Sequence, residues 1–81
     1  MTTLLRLPAV MERTGLSKPT IYHRIGRGLL PAPVKNGERI SVWPEAEIEA
    51  VTRACVAGLG EDGVRTLVAG LVSQRRALPI A

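Results

Sequence analysis

Residues 14–31 constrain the fold more than any other part of the chain, and they read TGLSKPTIYHRIGRGLLP. Ser17 suits the position before a helix, because its hydroxyl can accept a free backbone N–H, and Pro19 is tolerated in the first turn. Ile21 and Ile25 are four residues apart and give the helix one apolar face. The stretch therefore predicts a tight turn followed by a short helix that begins after Ser17.

A second short helix is predicted before this turn. The preceding LLRL is prone to β structure, and Pro8 suits a first helical turn, where its missing N–H would have no partner. Apolar residues then recur at helical spacing until Gly15 supplies the exit, which predicts a helix from about Pro8 to Thr14. Gly28 can adopt the left-handed conformation that ends the helix after the turn. Two short helices joined by TGLS form a helix-turn-helix.

The segment VKNGERISVW, residues 34–43, predicts a β-hairpin, which would form a wing beside these helices. An Asn-Gly pair between two extended arms is the strongest short-range hairpin signal. We expect Ile40 and Val42 to share one face of the second arm, with Trp43 turning into the core as the arm ends. The indole N–H of a buried Trp43 would need a hydrogen-bond partner.

Two more helices are predicted after the hairpin. Pro44 opens the third, and acidic residues in its early turns favour the helix dipole. Its apolar stripe continues to Cys55, for which a buried structural thiol is expected. Glu61 can start a fourth, amphipathic helix, which Pro79 stops.

The predicted fold class is mainly α with a small β-hairpin: a winged helix-turn-helix plus an extra C-terminal amphipathic helix. We expect a winged helix-turn-helix DNA-binding domain at residues 1–60. Residues 61–81 would form the C-terminal helix, which either packs on the small core or associates with a second copy. Eighty-one residues are enough for one small core, which must be economical.

Charge is unevenly distributed along the chain. Residues 1–43 carry seven basic and two acidic residues, whereas residues 44–81 carry four basic and five acidic ones. The positive first part suggests a polyanionic partner for that part alone, and ordinary solvated charge is the other interpretation. With no Phe, one Trp and one Tyr, the chain lacks the aromatic platforms on which single-stranded nucleic acid stacks.

The helix after the turn carries most of the candidate contact residues. If its two isoleucines point into the core, the opposite face and flanks offer hydroxyl, phenol, imidazole and cationic groups, which suit phosphates and base edges. An amphipathic helix with incidental bases is the alternative, and the two basic residues of the hairpin could instead prevent edge-strand aggregation. The predicted contacts to double-stranded DNA are Ser17, Lys18, Thr20, Tyr22, His23, Arg24, Arg27, Lys35 and Arg39.

Catalytic and cofactor motifs are missing from the sequence. A lone Cys55 excludes an intramolecular disulfide and the usual zinc sites, and His23 has no second imidazole or cysteine cluster near it in sequence. There is no Ser-His-Asp set and no glycine-rich phosphate loop, so we expect neither an enzyme nor a bound metal or cofactor. No apolar run approaches the roughly 20 residues of a membrane span, and we expect a cytoplasmic protein.

Several short motifs together resemble the AlpA-type phage and prophage regulators, which are small relatives of the MerR-like winged helix-turn-helix proteins and of phage excisionases. They are RLPAVMERTGLS, TIYHRI with GLLPAPV, NGER and WPEAEIEA, and they cover about residues 4–57. The resemblance implies a DNA-binding regulator of a mobile element, with the helix after the turn in the major groove and the wing beside it. It also allows an excisionase-like factor that assists an integrase.

The fourth helix lies beyond the point at which members of that family usually end, so the resemblance implies no role for it. It is amphipathic and not basic enough for a dedicated DNA arm. A role in self-association would make the protein a homodimer and predict two half-sites about one helical turn apart. A protein-interaction adaptor that acts through this helix is an alternative of a different class. The candidate dimer residues are Val64, Leu67, Leu71 and Leu78.

Overall fold

The computed structural model describes residues 3–35 and 40–75 of the chain. These residues form four helices and a small antiparallel sheet, which confirms the mainly helical fold with a minor β component. The elements in chain order are β1 (Leu4–Arg6), α1 (Leu7–Thr14), α2 (Lys18–Gly26), β2 (Val34–Lys35), β3 (Ser41–Pro44), α3 (Glu45–Val56) and α4 (Glu61–Gln74).

The sheet has β3 in its centre, with β1 on one side and β2 on the other. The antiparallel pairing of Val34 with Val42 confirms that the two arms of the predicted hairpin pair with each other. The predicted turn at Asn36 and Gly37 lies outside the described residues. The strand β1, which the sequence marks only as β-prone, adds a third member and places Leu5 opposite Trp43.

The expectation that Trp43 turns into the core is confirmed, whereas Ile40 and Val42, expected on one face of the second hairpin arm, differ in exposure. Ile40 precedes β3 and is 38% exposed, whereas Val42 and Trp43 are both buried, at 4% and 0%. Successive side chains of a strand point to opposite faces, so both faces of β3 are covered at this point. Neighbouring strands flank β3 on both of its hydrogen-bonding edges, and its Trp43 face packs into the core.

The turn between α1 and α2 follows the local sequence signals with one exception. Gly15 has φ +72° and donates its N–H to the Met11 carbonyl at 2.8 Å, so it ends α1 as predicted. Ser17 occupies the position before α2 but makes no capping bond; its hydroxyl instead pairs with the Thr20 hydroxyl at 2.9 Å. Pro19 in the first turn has no N–H to offer, which removes one of the two donors that Ser17 could accept.

The core lies between the sheet and the helices. Its fully buried side chains include Val10 of α1, Ile21 of α2, Trp43 of β3 and Ile48 of α3. The Trp43 indole N–H donates to the Pro31 carbonyl at 2.9 Å, which is the partner that its burial was expected to require. One apolar cluster therefore joins α1, α2 and α3 to the sheet.

The helix α4 packs against α3 and completes this core. Val64 and Val68 are buried in the same cluster, and Leu67 and Leu71 pack against it. Val64 is only 4% exposed, so its predicted contact with a second copy is wrong: the chain's own core already covers it. Leu78 lies outside the described residues.

The end of α3 projects past this packing. Cys55, predicted to be buried, is exposed, as is Leu59. The physical reason is that α3 stops at Val56. Gly58, with φ +84°, then turns the chain, and the first buried residue of α4 is Val64.

In the part of the chain that the structure describes, the longest helix has 14 residues and none has the length and apolar character of a membrane span.

Candidate nucleic-acid interface

The orientation of α2 is fixed by its two isoleucines. Ile21 is completely buried, and Ile25, one turn later, is packed against the same core. In an α-helix, residues about half a turn away must point to solvent when one stripe is buried. Pro19, His23 and Gly26 lie on that opposite side and are all exposed.

The predicted contact residues of α2 divide between this exposed side and its flanks. Lys18, Tyr22, His23 and Arg27 are exposed, and so is Ser17 just before the helix. Thr20 and Arg24 are half-buried on the flank that faces α3 and α4. All seven residues lie within three helical turns, so a single ligand running along α2 can reach most of them.

Two grooves border α2, which leaves the helix as a ridge between them. The first, of about 360 Å³, separates α2 from the α3–α4 junction. The second, of about 650 Å³, separates α2 from β1 and the start of β3. Its lining includes Tyr22, Arg6, Ile40 and Ser41, so one edge of the sheet borders the same groove as the helix.

Cationic groups of α2 differ in their surroundings. Lys18 and Arg24 form no ion pair with any acidic residue in the described ranges, 3–35 and 40–75. Arg27 is different, because its Nη2 donates to Glu61 Oε1 at 3.0 Å. A protein region that carries unpaired cations at its surface is ready to accept phosphate oxygens without first losing internal partners.

The hairpin brings Lys35 to the surface on β2. Its Nζ donates to the Ser41 hydroxyl at 3.0 Å, across the strand pair. Ser41 also borders the groove beside Tyr22, so Lys35 contacts a residue that lines this groove. Arg39, the other basic residue predicted to contact DNA from the hairpin, lies outside the described residues.

Two residues that bear on this interface were not found by sequence reasoning. Glu61 and Arg65, in the first turns of α4, contact the end of α2 across 34 and 38 positions of sequence. No local pattern indicates such a long-range contact; only the amphipathic character of α4 suggests that it packs against another element.

Among the described residues, no three His, Cys, Asp or Glu side chains lie close enough together to hold a metal ion.

Comparison with known families identifies the family to which the chain is similar. Residues 3–54 match the family described as prophage CP4-57 regulatory protein (AlpA). The chain belongs to the AlpA family. The match runs from the start of β1 into the last turn of α3, so it includes α1, α2 and the paired strands. It leaves α4 outside, so the contacts between α2 and α4 of this AlpA-family chain reach beyond the matched region.

A phage protein shares much of the same region. The chain is 39% identical over 54 residues to an uncharacterized protein, ORF88, of Enterobacteria phage P4. The aligned part covers 67% of this chain and 61% of the phage protein, so the chain spans about three fifths of that relative. No solved structure matches the chain.

Proposed function

We propose that this AlpA-family chain is a sequence-specific, duplex DNA-binding regulator of transcription in a phage or other mobile element. The observation that carries the proposal is the burial of Ile21 and the packing of Ile25 against the same core, which leave the cationic and polar side of α2 exposed between two grooves. The matched family is described as regulatory, which agrees with this role.

The dimensions of α2 suit the DNA major groove. The helix has nine residues and therefore a length of about 13 Å at 1.5 Å per residue. A helix with side chains is about 10–12 Å across, and the major groove of B-DNA is about 12 Å wide. In this proposal α1 and α2 form the helix-turn-helix, and the paired strands β2 and β3 act as the wing of a MerR-like or excisionase-like fold.

The proposed contacts fall into two groups. Ser17, Lys18 and Thr20 stand at the start of α2, where helix N–H groups and positive charge favour a phosphate. The later side chains, Tyr22, His23, Arg24 and Arg27, would contact base edges or the opposite backbone, as long polar side chains do in a major groove. Lys35 and Arg39 would contact the backbone beside the helix.

The proposed domain division places DNA binding in residues 1–60 and a packing or self-association role in residues 61–81. The family match to residues 3–54 supports the first part of this division. Against a free-standing adaptor helix stands the packing of Val64 and Val68 in the chain's own core. A homodimer would have to use surfaces other than Val64.

The test is selection of bound duplexes from a random pool, followed by affinity measurements on the enriched sequence between about 50 and 200 mM salt. Each phosphate neutralised by a cation releases counterions, so affinity is expected to fall steeply as salt rises. No enriched sequence, or affinity that does not change with salt, would contradict the proposal.

A second role for the same face is assistance to an integrase during excision of DNA. The phage origin of the relative favours this role as much as it favours transcriptional control. Genome-wide mapping of bound sites separates the two roles. Sites clustered at an attachment sequence, with bending of the bound duplex, indicate recombination, whereas sites confined to promoters indicate transcription.

A further inference from the structure

The first turns of α4 contact the end of α2. Glu61 Oε1 lies 3.0 Å from Arg27 Nη2 and 3.3 Å from Arg65 Nη2, so one carboxylate oxygen bridges two guanidinium groups. Arg65 Nε also donates to the Arg27 backbone carbonyl at 2.9 Å. A second acid, Asp62, binds Arg65 Nη1 at 3.2 Å. The start of α4 therefore places the Glu61 carboxylate beside the cationic end of α2, while Asp62 binds Arg65 within α4.

The pair between Arg27 and Glu61 is open to solvent. Their side chains are 46% and 56% exposed. Exposed ion pairs contribute little to stability, so a competing anion can displace one partner at small cost. The Arg65 bond to the Arg27 carbonyl involves only main-chain atoms of Arg27, so the end of α2 stays anchored when the Arg27 side chain moves.

We infer that Glu61 competes with DNA phosphate for Arg27, so that α4 lowers the affinity of this chain for duplex DNA. The inference rests on the proposed function. Arg27 must exchange a carboxylate for a phosphate when DNA binds, and the released Glu61 charge then stays within a Debye length of the DNA backbone, which repels it. Glu61 lies outside the family match to residues 3–54, so the competing carboxylate comes from beyond the region that this chain shares with the family model.

Arg65 supports this arrangement by holding Glu61 in place. Its Nη2 contacts the same Oε1 atom from within α4, four residues on. Because Arg65 already restricts the Glu61 side chain, less conformational entropy is lost when Glu61 pairs with Arg27. Glu61 is thus kept beside Arg27 in the DNA-free protein, where it competes most effectively.

The experiment compares Glu61→Gln with Glu49→Gln in the full chain. Both changes remove one negative charge from an exposed carboxylate: Glu61 pairs with Arg27 and Arg65, and Glu49 lies 3.5 Å from Arg53 on α3. The duplex enriched by selection is the probe, titrated by fluorescence anisotropy at about 50 mM salt. We expect Glu61→Gln to raise affinity about two- to fivefold, the range that an exposed ion pair allows, and Glu49→Gln to raise it less.

A double-mutant cycle shows whether Glu61 acts through Arg27. In an Arg27→Ala background, the effect of Glu61→Gln should fall to that of Glu49→Gln, because the competed group is gone. Equal effects of the two glutamine variants in the parent chain would overturn the inference and leave DNA binding intact. Weaker binding by Glu61→Gln would also overturn it, since Glu61 would then be orienting Arg27. If the parent chain binds no duplex, both the proposed function and this inference fail.

Discussion

Arg24 is the residue whose removal reports most directly on DNA contact. It lies on α2 without an acidic partner in the described ranges, so its replacement breaks no ion pair there. If Arg24 contacts a base edge, Arg24→Ala should weaken binding by about 1–3 kcal/mol. The control is Arg53→Ala, which removes the same charge from an 80% exposed side chain on α3. Anisotropy titrations that give equal losses for the two variants would exclude a specific contact by Arg24.

Gly26 and Gly28 are two residues apart but should respond oppositely to alanine. Gly28 has φ +77°, a conformation that costs an L-residue roughly 1–2 kcal/mol, so Gly28→Ala should destabilise the fold by about 1 kcal/mol. Gly26 ends α2 at negative φ, and an added Cβ would meet no neighbour within 4 Å. Gly26→Ala should therefore stabilise by up to about 1 kcal/mol. Urea unfolding measures both, and changes of the same sign would be incompatible with this backbone.

Sequence patterns predict single residues well when the cause is local. The left-handed conformation of Gly28 and the positions of Pro8 and Gly15 follow from backbone sterics alone. The exposure of Cys55 does not follow from local sterics, because it depends on how far along α3 the packing of α4 extends. A stripe of apolar residues shows which face of a helix is inward, but not how far along the helix the partner extends.

At the scale of elements, a buried ion pair ties α4 to the rest of the fold. Arg75, at the end of α4, binds both oxygens of Glu47 in α3, at 2.9 and 2.5 Å, and also donates to the Ala32 carbonyl at 2.8 Å. Glu47 is only 7% exposed. The pair therefore links α4 to the start of α3 and to the segment that leads into β2.

Removal of the Glu47 carboxylate should destabilise the protein. Glu47→Ala leaves the Arg75 guanidinium without its main partner, and we expect a loss of about 1–3 kcal/mol in the free energy of unfolding, since Arg75 keeps some access to water. Glu49→Ala in the same helix breaks only an exposed pair and should cost less than about 1 kcal/mol. Denaturant unfolding that ranks the two variants equally would show that the buried pair does not fasten α4.

Elements differ in how far the sequence predicts them. α1, α2 and α3 begin and end close to their proline and glycine signals, because those signals act within one turn. The pairing of β1 with β3 and the contact of Glu47 with Arg75 join residues far apart in sequence. The sequence shows a β-prone tetrapeptide in the first case and opposite charges in the second, but which residues pair depends on the assembled fold.

For the whole molecule, α4 is part of the folding unit. It supplies Val64 and Val68 to the core and Arg75 to the buried pair. Each buried valine contributes about 1.5–3 kcal/mol, so the loss of α4 removes an amount comparable to the 5–15 kcal/mol that stabilises a typical domain. We expect residues 1–60 alone to show no cooperative thermal transition by circular dichroism. Unfolding of that fragment like the full chain would instead support an independent N-terminal domain.

Self-association through α4 stays a prediction at this scale. Leu67 and Leu71 pack against the chain's own core, which leaves them only partly available to a second copy. Two half-sites about one helical turn apart in the selected duplexes, together with a dimer in sedimentation, would support it. The seven contact residues proposed on and beside α2 do not depend on a dimer.

Binding of duplex DNA by the exposed cationic side of α2 is tested most directly by NMR. The isotope-labelled chain is titrated with the selected duplex, and the backbone amide shifts are measured at each step. Amide shifts are expected to concentrate in residues 17–28, with further shifts near Lys35, and to reverse as salt rises. Shifts confined to α3 and α4, with Lys18–Gly26 unchanged at saturating DNA, would contradict it.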